Sequence, residues 1–399
     1  MIARAATPDK ALMSRSTAFF VVAAVLFAML AGSNVATPLY ESYRREWHLT
    51  PFVISAVFAL YTFVLVGVSW SCGRISDRFG RRPIVLVALV AGALGSLLFA
   101  LATGPKWLFA ARIAQGVAVG LASGAGGAAL VELEPLANHR RAALIASLMF
   151  AAGGAFGPLL SGLLAQYAPH PLQLPYLVHL GSLVPLLGLA LFLPETAPRV
   201  AGTTWLPRLP PLPPETRAPF AIAALSAALV WIVAGLFFSL VPSYLRVELG
   251  TRSVALGGLA PFAMLATSAV AQVTLRANER ALLYTAYALL TLGMAAVVAA
   301  VPFHAVWLLM LGALVTGAGH GAGFLGAQRS VTRIAPPATR GEVLSLFYAV
   351  IFFSIGVWVL ALGALASAYG FFLAFAAFGL AVVVLSICLA WALSRERSL

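Results

Sequence analysis

A few polar side chains interrupt long apolar stretches of this chain: Glu41, Arg112, Gln115 and His320. A polar group inside hydrocarbon is costly enough to be a functional candidate by default. Arg112 cannot shed its charge and needs a partner. Glu41 stands at a comparable depth, at the end of the first apolar stretch, after Asn34 and Thr37. On a continuous helix Asn34, Thr37 and Glu41 share one face, and a polar face suggests a water-lined cavity. The expectation is a Glu41–Arg112 pair, direct or through water, lining that cavity with Gln115. A carboxylate there can take a proton and release the guanidinium, so the chemistry on offer is proton binding linked to cavity charge. Two other readings stay open. Glu41 can meet lipid headgroups beside Arg44 and Arg45, and Arg112 can snorkel outward. His320, in Thr316-Gly-Ala-Gly-His-Gly-Ala-Gly323, is a second titratable candidate. It can equally stay neutral on a hydrogen bond to backbone or to Thr316. His179 has no polar company in its stretch and reads as structural.

Composition dictates the elements that must position these groups. Of 399 residues, 62% are hydrophobic and 9% charged, against about 25% charged in a soluble domain. This is the composition of an integral, multi-pass membrane protein in the plasma or inner membrane, with the lipid bilayer as its surroundings. The net charge of +13 lies in short loops between apolar stretches, which points to topology and not to nucleic acid. The two cysteines, Cys72 and Cys388, form no disulfide framework, and no Cys/His spacing suits a metal. No cofactor is expected. The first apolar stretch is too long for a cleaved signal peptide.

Twelve spans are expected, all helical. Six are Thr17–Tyr40, Pro51–Ser71, Pro83–Thr103, Trp107–Val131, Ala142–Gln166 and Tyr176–Leu193. Six more are Phe220–Ser243, Ser253–Thr274, Ala281–Val301, Ala305–Ala327, Val343–Ala366 and Phe371–Leu393. Of 25 Lys and Arg residues, nineteen fall on the side holding both termini, five on the other (Arg44, Arg45, Lys106, Arg246, Arg252), and Arg112 within a span. The bias places both termini in the cytoplasm. Residues 195–218 are rich in proline, including Pro210-Pro211 and Pro213-Pro214. Such a segment is semi-rigid and packs no core. It divides the chain into a tail (1–16), a six-helix bundle (17–194), the linker, a second bundle (219–393) and a tail (394–399).

Between the second and third spans stands Gly73-Arg-Ile-Ser-Asp-Arg-Phe-Gly-Arg-Arg82, expected to be a tight turn held inside by its arginines. Gly73, Asp77, Arg78, Gly80, Arg81 and Arg82 match the loop signature of the major facilitator superfamily, and the chain resembles that family from Thr17 to Leu393. The second-half counterpart, Leu275 to Arg280, is basic and lacks the glycines. Arg112-x-x-Gln115-Gly116 resembles a second family motif, with Ala118 where a further glycine stands. Gly153-x-x-x-Gly157-Pro158-x-x-Ser161-Gly162 resembles the antiporter motif, with Ser161 and Leu144 in place of glycines. That motif goes with export in the family, and plain helix packing would use the same small residues.

The resemblance implies the facilitator fold: two six-helix bundles related by an axis along the membrane normal, working by alternating access. It also implies that Asp77 caps the start of the eleventh helix near Gly341, a latch holding the bundles together on the cytoplasmic face in the outward-open state; Glu132 and Glu134, at the inner end of the fourth span, are placed to pair with Arg78, Arg81 or Arg82. The function implied is proton-coupled export of a small apolar or cationic molecule by a monomer, similar to the twelve-span drug/proton antiporters, and not an enzymatic one. Trp231, Phe237, Phe238, Tyr348, Phe352, Phe353 and Trp358 suit an apolar or aromatic substrate. A transporter of another metabolite class, such as a sugar, an amino-acid derivative or a siderophore-like product, is the alternative, and a non-transporting receptor the distant one. An ATP-driven pump would need a Gly-x-x-x-x-Gly-Lys-Ser/Thr loop, which the sequence lacks.

Overall fold

The computed structural model describes residues 13–196, 212–336 and 339–396. The expected linker therefore falls largely outside the described residues, as do most of the first tail and the end of the last. Among the described residues every regular element is helical. The first half runs α1 (Arg15–Asn34), a short turn of 3-10 helix (Thr37–Leu39), α2 (Tyr40–Glu46), α3 (Pro51–Phe79), α4 (Arg81–Ala100) and α5 (Pro105–Leu121). A π-helical turn (Ala122–Gly126), α6 (Gly127–Leu133), α7 (His139–Tyr167) and α8 (Leu174–Ala190) complete it. The second half runs α9 (Pro214–Ser239), α10 (Val241–Val247), α11 (Val254–Thr274), α12 (Glu279–Ala299), α13 (Val306–Ile334), α14 (Arg340–Tyr369) and α15 (Phe371–Arg395). Eleven helical stretches are long and apolar enough to cross a membrane, and α8 is a shorter twelfth.

Local chemistry sets the ends. Thr50 accepts from the Val53 amide and Pro51 opens α3; Ser253 and Asn278 cap α11 and α12 through Leu256 and Ala281. Several helices outrun their hydrophobic stretches. α3 continues to Phe79 instead of Ser71, α13 to Ile334 instead of Ala327, and α9 starts at Pro214 instead of Phe220. Hydropathy marks only the part that sits in hydrocarbon, while helix geometry tolerates the charged turns beyond it. The signature decapeptide is thus not a turn. Gly73 to Phe79 are helical, and Gly80 alone, at φ +98°, reverses the chain.

The first span is bent. Pro38 has no N–H to offer the carbonyl four residues back, so α1 stops at Asn34 and the chain passes through the 3-10 turn before α2.

The two halves meet along α3 against α14 and α7 against α11. Glycines permit the approach. A Cβ on Gly258 would stand 2.1 Å from the Pro158 carbonyl oxygen, and one on Gly363 would stand 2.3 Å from Ser55 Oγ. Among the described residues two hydrogen bonds cross between the halves. The Phe52 amide donates to Ser367 Oγ (2.9 Å) and the Val254 amide to Gln166 Oε1 (2.8 Å). Both lie at the end opposite Gly80, here called the far end; the seam is closed there.

Gly258→Val forces a side chain onto a backbone oxygen that cannot rotate away. It should destabilise the closed far end by roughly 1–3 kcal/mol. Spin labels at Tyr167 and Val247, exposed at that end, should then report a longer distance in pulsed electron resonance. A distribution identical to the parent's would show that the seam does not depend on this contact.

Candidate functional site

Ending α1 at Asn34 leaves its last carbonyls short of helical donors, the Val35 amide reaching only those of Ala31 and Gly32. α5 and α7 supply further donors. Gln115 Nε2 donates to the Gly32 carbonyl (3.0 Å), Arg112 Nη1 to the Ser33 carbonyl (2.5 Å) and Ser161 Oγ to the Val35 carbonyl (2.7 Å). Arg112 is completely buried. Its Nη1 also donates to Gln115 Oε1 (2.8 Å) and its Nη2 to the Tyr40 hydroxyl. The guanidinium carbon lies 5.4 Å from the Tyr40 ring centre, 5.8 Å from Phe58, 5.3 Å from Tyr61 and 5.7 Å from Phe99. Neutral oxygens and ring faces therefore hold this cation, and Nε has no partner. The snorkelling alternative is excluded.

The expected Glu41–Arg112 bond is not made. Glu41 takes Arg44 instead, at 2.7 and 2.9 Å. The cause is the bend at Pro38: three residues of 3-10 helix break the 3.6-residue phase, so Asn34, Thr37 and Glu41 do not lie on one continuous helical face. Asn34 Nδ2 donates back to the Leu30 carbonyl (3.0 Å). Thr37 is fully buried with its hydroxyl unpartnered. Glu41 lines a far-end recess of about 90 Å³, with Arg45 on its own half and Arg246 and Arg252 on the other.

His320 belongs to a separate cluster in the second half. It is 1% exposed, and its Nδ1 lies 2.8 Å from Ser268 Oγ, which accepts from Gln272 Nε2 (3.2 Å). Thr316, the partner weighed from sequence, bonds the Gly312 carbonyl (2.7 Å). The Trp231 ring stands edge-on to His320 at 4.8 Å, with Phe324 at 5.7 Å and Phe352 at 6.2 Å from Trp231. Gln328 donates to the Tyr348 hydroxyl at 3.1 Å. The other expected aromatics scatter: Phe237 and Phe238 are core, Phe353 faces Phe63 across the seam (5.7 Å), and Trp358 meets Phe378 (6.0 Å). Among the described residues no hydrogen bond or ion pair joins the Arg112 and His320 clusters. His179 is structural, yet not alone: it bridges Ser96 (2.7 Å) and the Ala28 carbonyl (2.9 Å).

At the Gly80 end, the near end, Arg81 organises the loop. It pairs with Asp77 (2.7 Å) and Glu132 (3.2 Å), tying α3, α4 and α6 together. Asp77 does not cap α14; an i,i+4 partner on its own side is closer. Glu195 accepts from the Arg81 amide (2.7 Å) and the Arg82 amide (3.3 Å), a carboxylate at the start of α4. A Cβ on Gly80 would stand 2.2 Å from Glu195 Oε2, so any other residue would push that carboxylate aside, while the φ of +98° itself favours glycine. Arg82 donates to the Leu191 carbonyl, and Arg78 lies against the Phe79 ring (5.3 Å). Glu134 has no exposed side-chain surface. It accepts from the Asn138 amide (2.6 Å), the Leu136 amide (2.8 Å) and Arg141 (3.1 Å). The Asn138 N–H, aided by the Leu136 N–H and Arg141, holds its carboxyl below the usual carboxylate range.

The antiporter-type stretch packs α7 between α1 and α11. A Cβ on Gly153 would meet the Phe27 carbonyl at 2.3 Å and one on Gly157 the Ala31 carbonyl at 2.2 Å; Gly162 faces Gly258, and the Pro158 carbonyl lies against the same glycine. The signals that sequence reasoning missed are the ring cage around Arg112, the Glu195 cap and the Ser268–Gln272 support of His320.

The family model described as Major Facilitator Superfamily matches residues 21–303. A class H tetracycline resistance protein of Pasteurella multocida is 34% identical over 114 residues, 29% of this chain and 28% of that protein. A puromycin resistance protein of Streptomyces alboniger is 33% identical over 153 residues, 37% of this chain and 29% of that protein. These matches span under a third of each relative's length. Among solved structures, a POT family transporter in complex with 5-aminolevulinic acid superposes with a TM-score of 0.77 at 13% identity, over 93% of this chain and 94% of that one. A bacterial homolog of the human lysosomal transporter Spinster, inward-facing and unoccupied, gives 0.70 at 15% identity, over 95% and 96%. Likenesses this distant show the fold alone.

Gln115→Leu removes an acceptor from Arg112 and a donor from the Gly32 carbonyl. It should lower stability by about 1–3 kcal/mol, seen as a lower melting temperature in detergent. Gln115→Glu should melt above Gln115→Leu, because a carboxylate compensates the buried cation. Equal melting of parent and Gln115→Leu would show that the amide is not holding α1 to α5. For Glu134 the folded-state pKa lies below the unfolded one, so its contribution is full above the ordinary carboxylate range. It is lost as pH falls through the lowered value. Melting followed from pH 7 downward should show this loss in the parent and a flatter profile in Glu134→Gln.

Proposed function

The chain belongs to the Major Facilitator Superfamily, and on that premise we propose that it is a secondary transporter working by alternating access, exporting a small apolar or cationic compound in exchange for protons. The observation that carries the reading is the asymmetric seam. Each half holds a buried polar cluster, around Arg112 and around His320, and two hydrogen bonds between the halves close the far end. Two rigid groups joined at one end are the form an alternating-access machine takes in one of its states. With the near end in the cytoplasm, as the basic residues indicate, the closed far end is the outer side. The bundles are 17–194 and 219–393, joined by the proline-rich segment.

Names of relatives lend support to the drug class. Tetracycline and puromycin resistance proteins are among them, and so is a cephamycin export protein of Amycolatopsis lactamdurans, 30% identical over 164 residues. The close α1–α7–α11 packing at Gly153, Gly157 and Gly162 fits the antiporter-type motif. Glu41 is the proposed proton site. It lines the far-end recess between the halves, where opening of the seam would change its surroundings and its hold on Arg44. One charge moved across 100 mV is worth about 2.3 kcal/mol, enough for a roughly fifty-fold substrate gradient.

The test is transport by inverted vesicles with and without an imposed pH gradient, using tetracycline, puromycin and ethidium, then a sugar and amino-acid panel. Drug accumulation that collapses with the gradient is expected, and Glu41→Gln should cut the gradient-driven part at least tenfold. Uptake of a sugar or amino-acid derivative alone would select the metabolite reading. Full gradient-driven transport by Glu41→Gln would remove that residue from the coupling.

A further inference from the structure

Two buried N–H groups of the second half share one aromatic cluster and have no partner. Trp231 Nε1 is one; an indole nitrogen can only donate. His320 Nε2 is the other. We assign the tautomer from the network: Ser268 Oγ accepts from Gln272 Nε2 and gives its own proton to His320 Nδ1, which puts the ring proton on Nε2. The two rings are 4.8 Å apart. The other rings against them, Phe324 and Phe352, are hydrocarbon.

A purely structural cluster would not be built this way. Each buried, unsatisfied donor costs free energy comparable to a lost hydrogen bond. Phe at position 231 and an apolar residue at 320 would fill the same space without that cost. Instead Ser268 and Gln272 hold the imidazole in one tautomer, with its N–H free. Both free groups donate, and no carboxylate bonds any member of the cluster. Such a site gives an acceptor oxygen two donors, and gives a cation ring faces but no carboxylate. Trp231 and Phe352 are half-buried, so the cluster reaches a surface of the second half and offers ring faces for stacking.

We propose that Trp231 and His320 form the recognition point for an uncharged, planar compound carrying a carbonyl-type oxygen, whose acceptor takes the two N–H groups while its ring packs on Trp231 and Phe352. This deepens the transporter reading above, on which it rests, and narrows its substrate class from apolar or cationic to carbonyl-bearing and neutral.

The test is binding to the full chain in lipid nanodiscs by equilibrium dialysis, with three probes. Coumarin is planar and carries a lactone carbonyl, 2H-chromene has the same two rings without it, and ethidium is a planar cation. Coumarin should bind about tenfold more tightly than 2H-chromene, and ethidium more weakly than coumarin. Trp231→Phe keeps a ring and deletes the N–H, so it should shrink the coumarin-to-chromene ratio to about threefold or less. The ratio is internal to each preparation and does not depend on the folded fraction. Equal affinities for the two neutral probes, a ratio unchanged in Trp231→Phe, tighter binding of ethidium, or no binding of coumarin would each overturn the proposal. Vesicle flux separates it from the reading beneath it. Selective coumarin binding without flux of any probe would overturn transport and leave the donor site standing. Ethidium export without a coumarin preference would do the reverse.

Discussion

In hydrocarbon no water satisfies a backbone carbonyl, and the break between α1 and the 3-10 turn at Pro38 leaves several that need satisfying. Once α1 stops at Asn34, Arg112 and Ser161 from α5 and α7 meet the carbonyls of Ser33 and Val35, and Gln115 adds a second donor to the Gly32 carbonyl beside the Val35 amide. Much else in the first half is arranged around this. Gly153 and Gly157 bring α7 onto the α1 backbone at the same level, and Gly116 and Gly120 bring α5 onto Val64 and Val68 of α3. Arg112 is anchored where its charge would otherwise be hardest to keep, because carbonyl oxygens and ring faces are both directed at it.

The two halves settle their polar interiors differently. In the first half the α1–α5–α7 contact is bonded from three side chains at once, with Arg112 Nε and the Thr37 hydroxyl left over. In the second half the polar atoms of Ser268, Gln272 and His320 are linked in series, and the series ends in a free N–H beside another. A saturated network favours one geometry; an unsaturated one is ready for an added partner.

The membrane character and the helical spans were legible because hydrophobic stretches of the needed length are hard to mistake. Their ends were less so, since α3, α9 and α13 continue as charged helix beyond the lipid. The family signature was legible at Gly80, where only one residue type serves, but the sequence suggested a whole loop where one residue turns the chain. Glu41 and Arg112 illustrate the limit. Equal depth suggested a bond, yet a proline between them in sequence changed the phase of the helix and gave Glu41 a nearer arginine. Glu195 lies 114 residues from its partner Arg81, and no periodicity encodes so distant a meeting. His320 was found by type, while its relay through Ser268 required knowing which helices adjoin.

The capping of α4 by Glu195 has a mechanical side. The carboxylate grips two amides, and the next residue, Thr196, bonds Glu132, immediately before the segment leading to the second half. Force arriving along that tether is delivered to a braced corner made of α3, α4 and α6, and α8 is shielded from being peeled off its neighbours. The first half can therefore be pulled as one piece, as a cable clamped before its terminal spares the joint behind it.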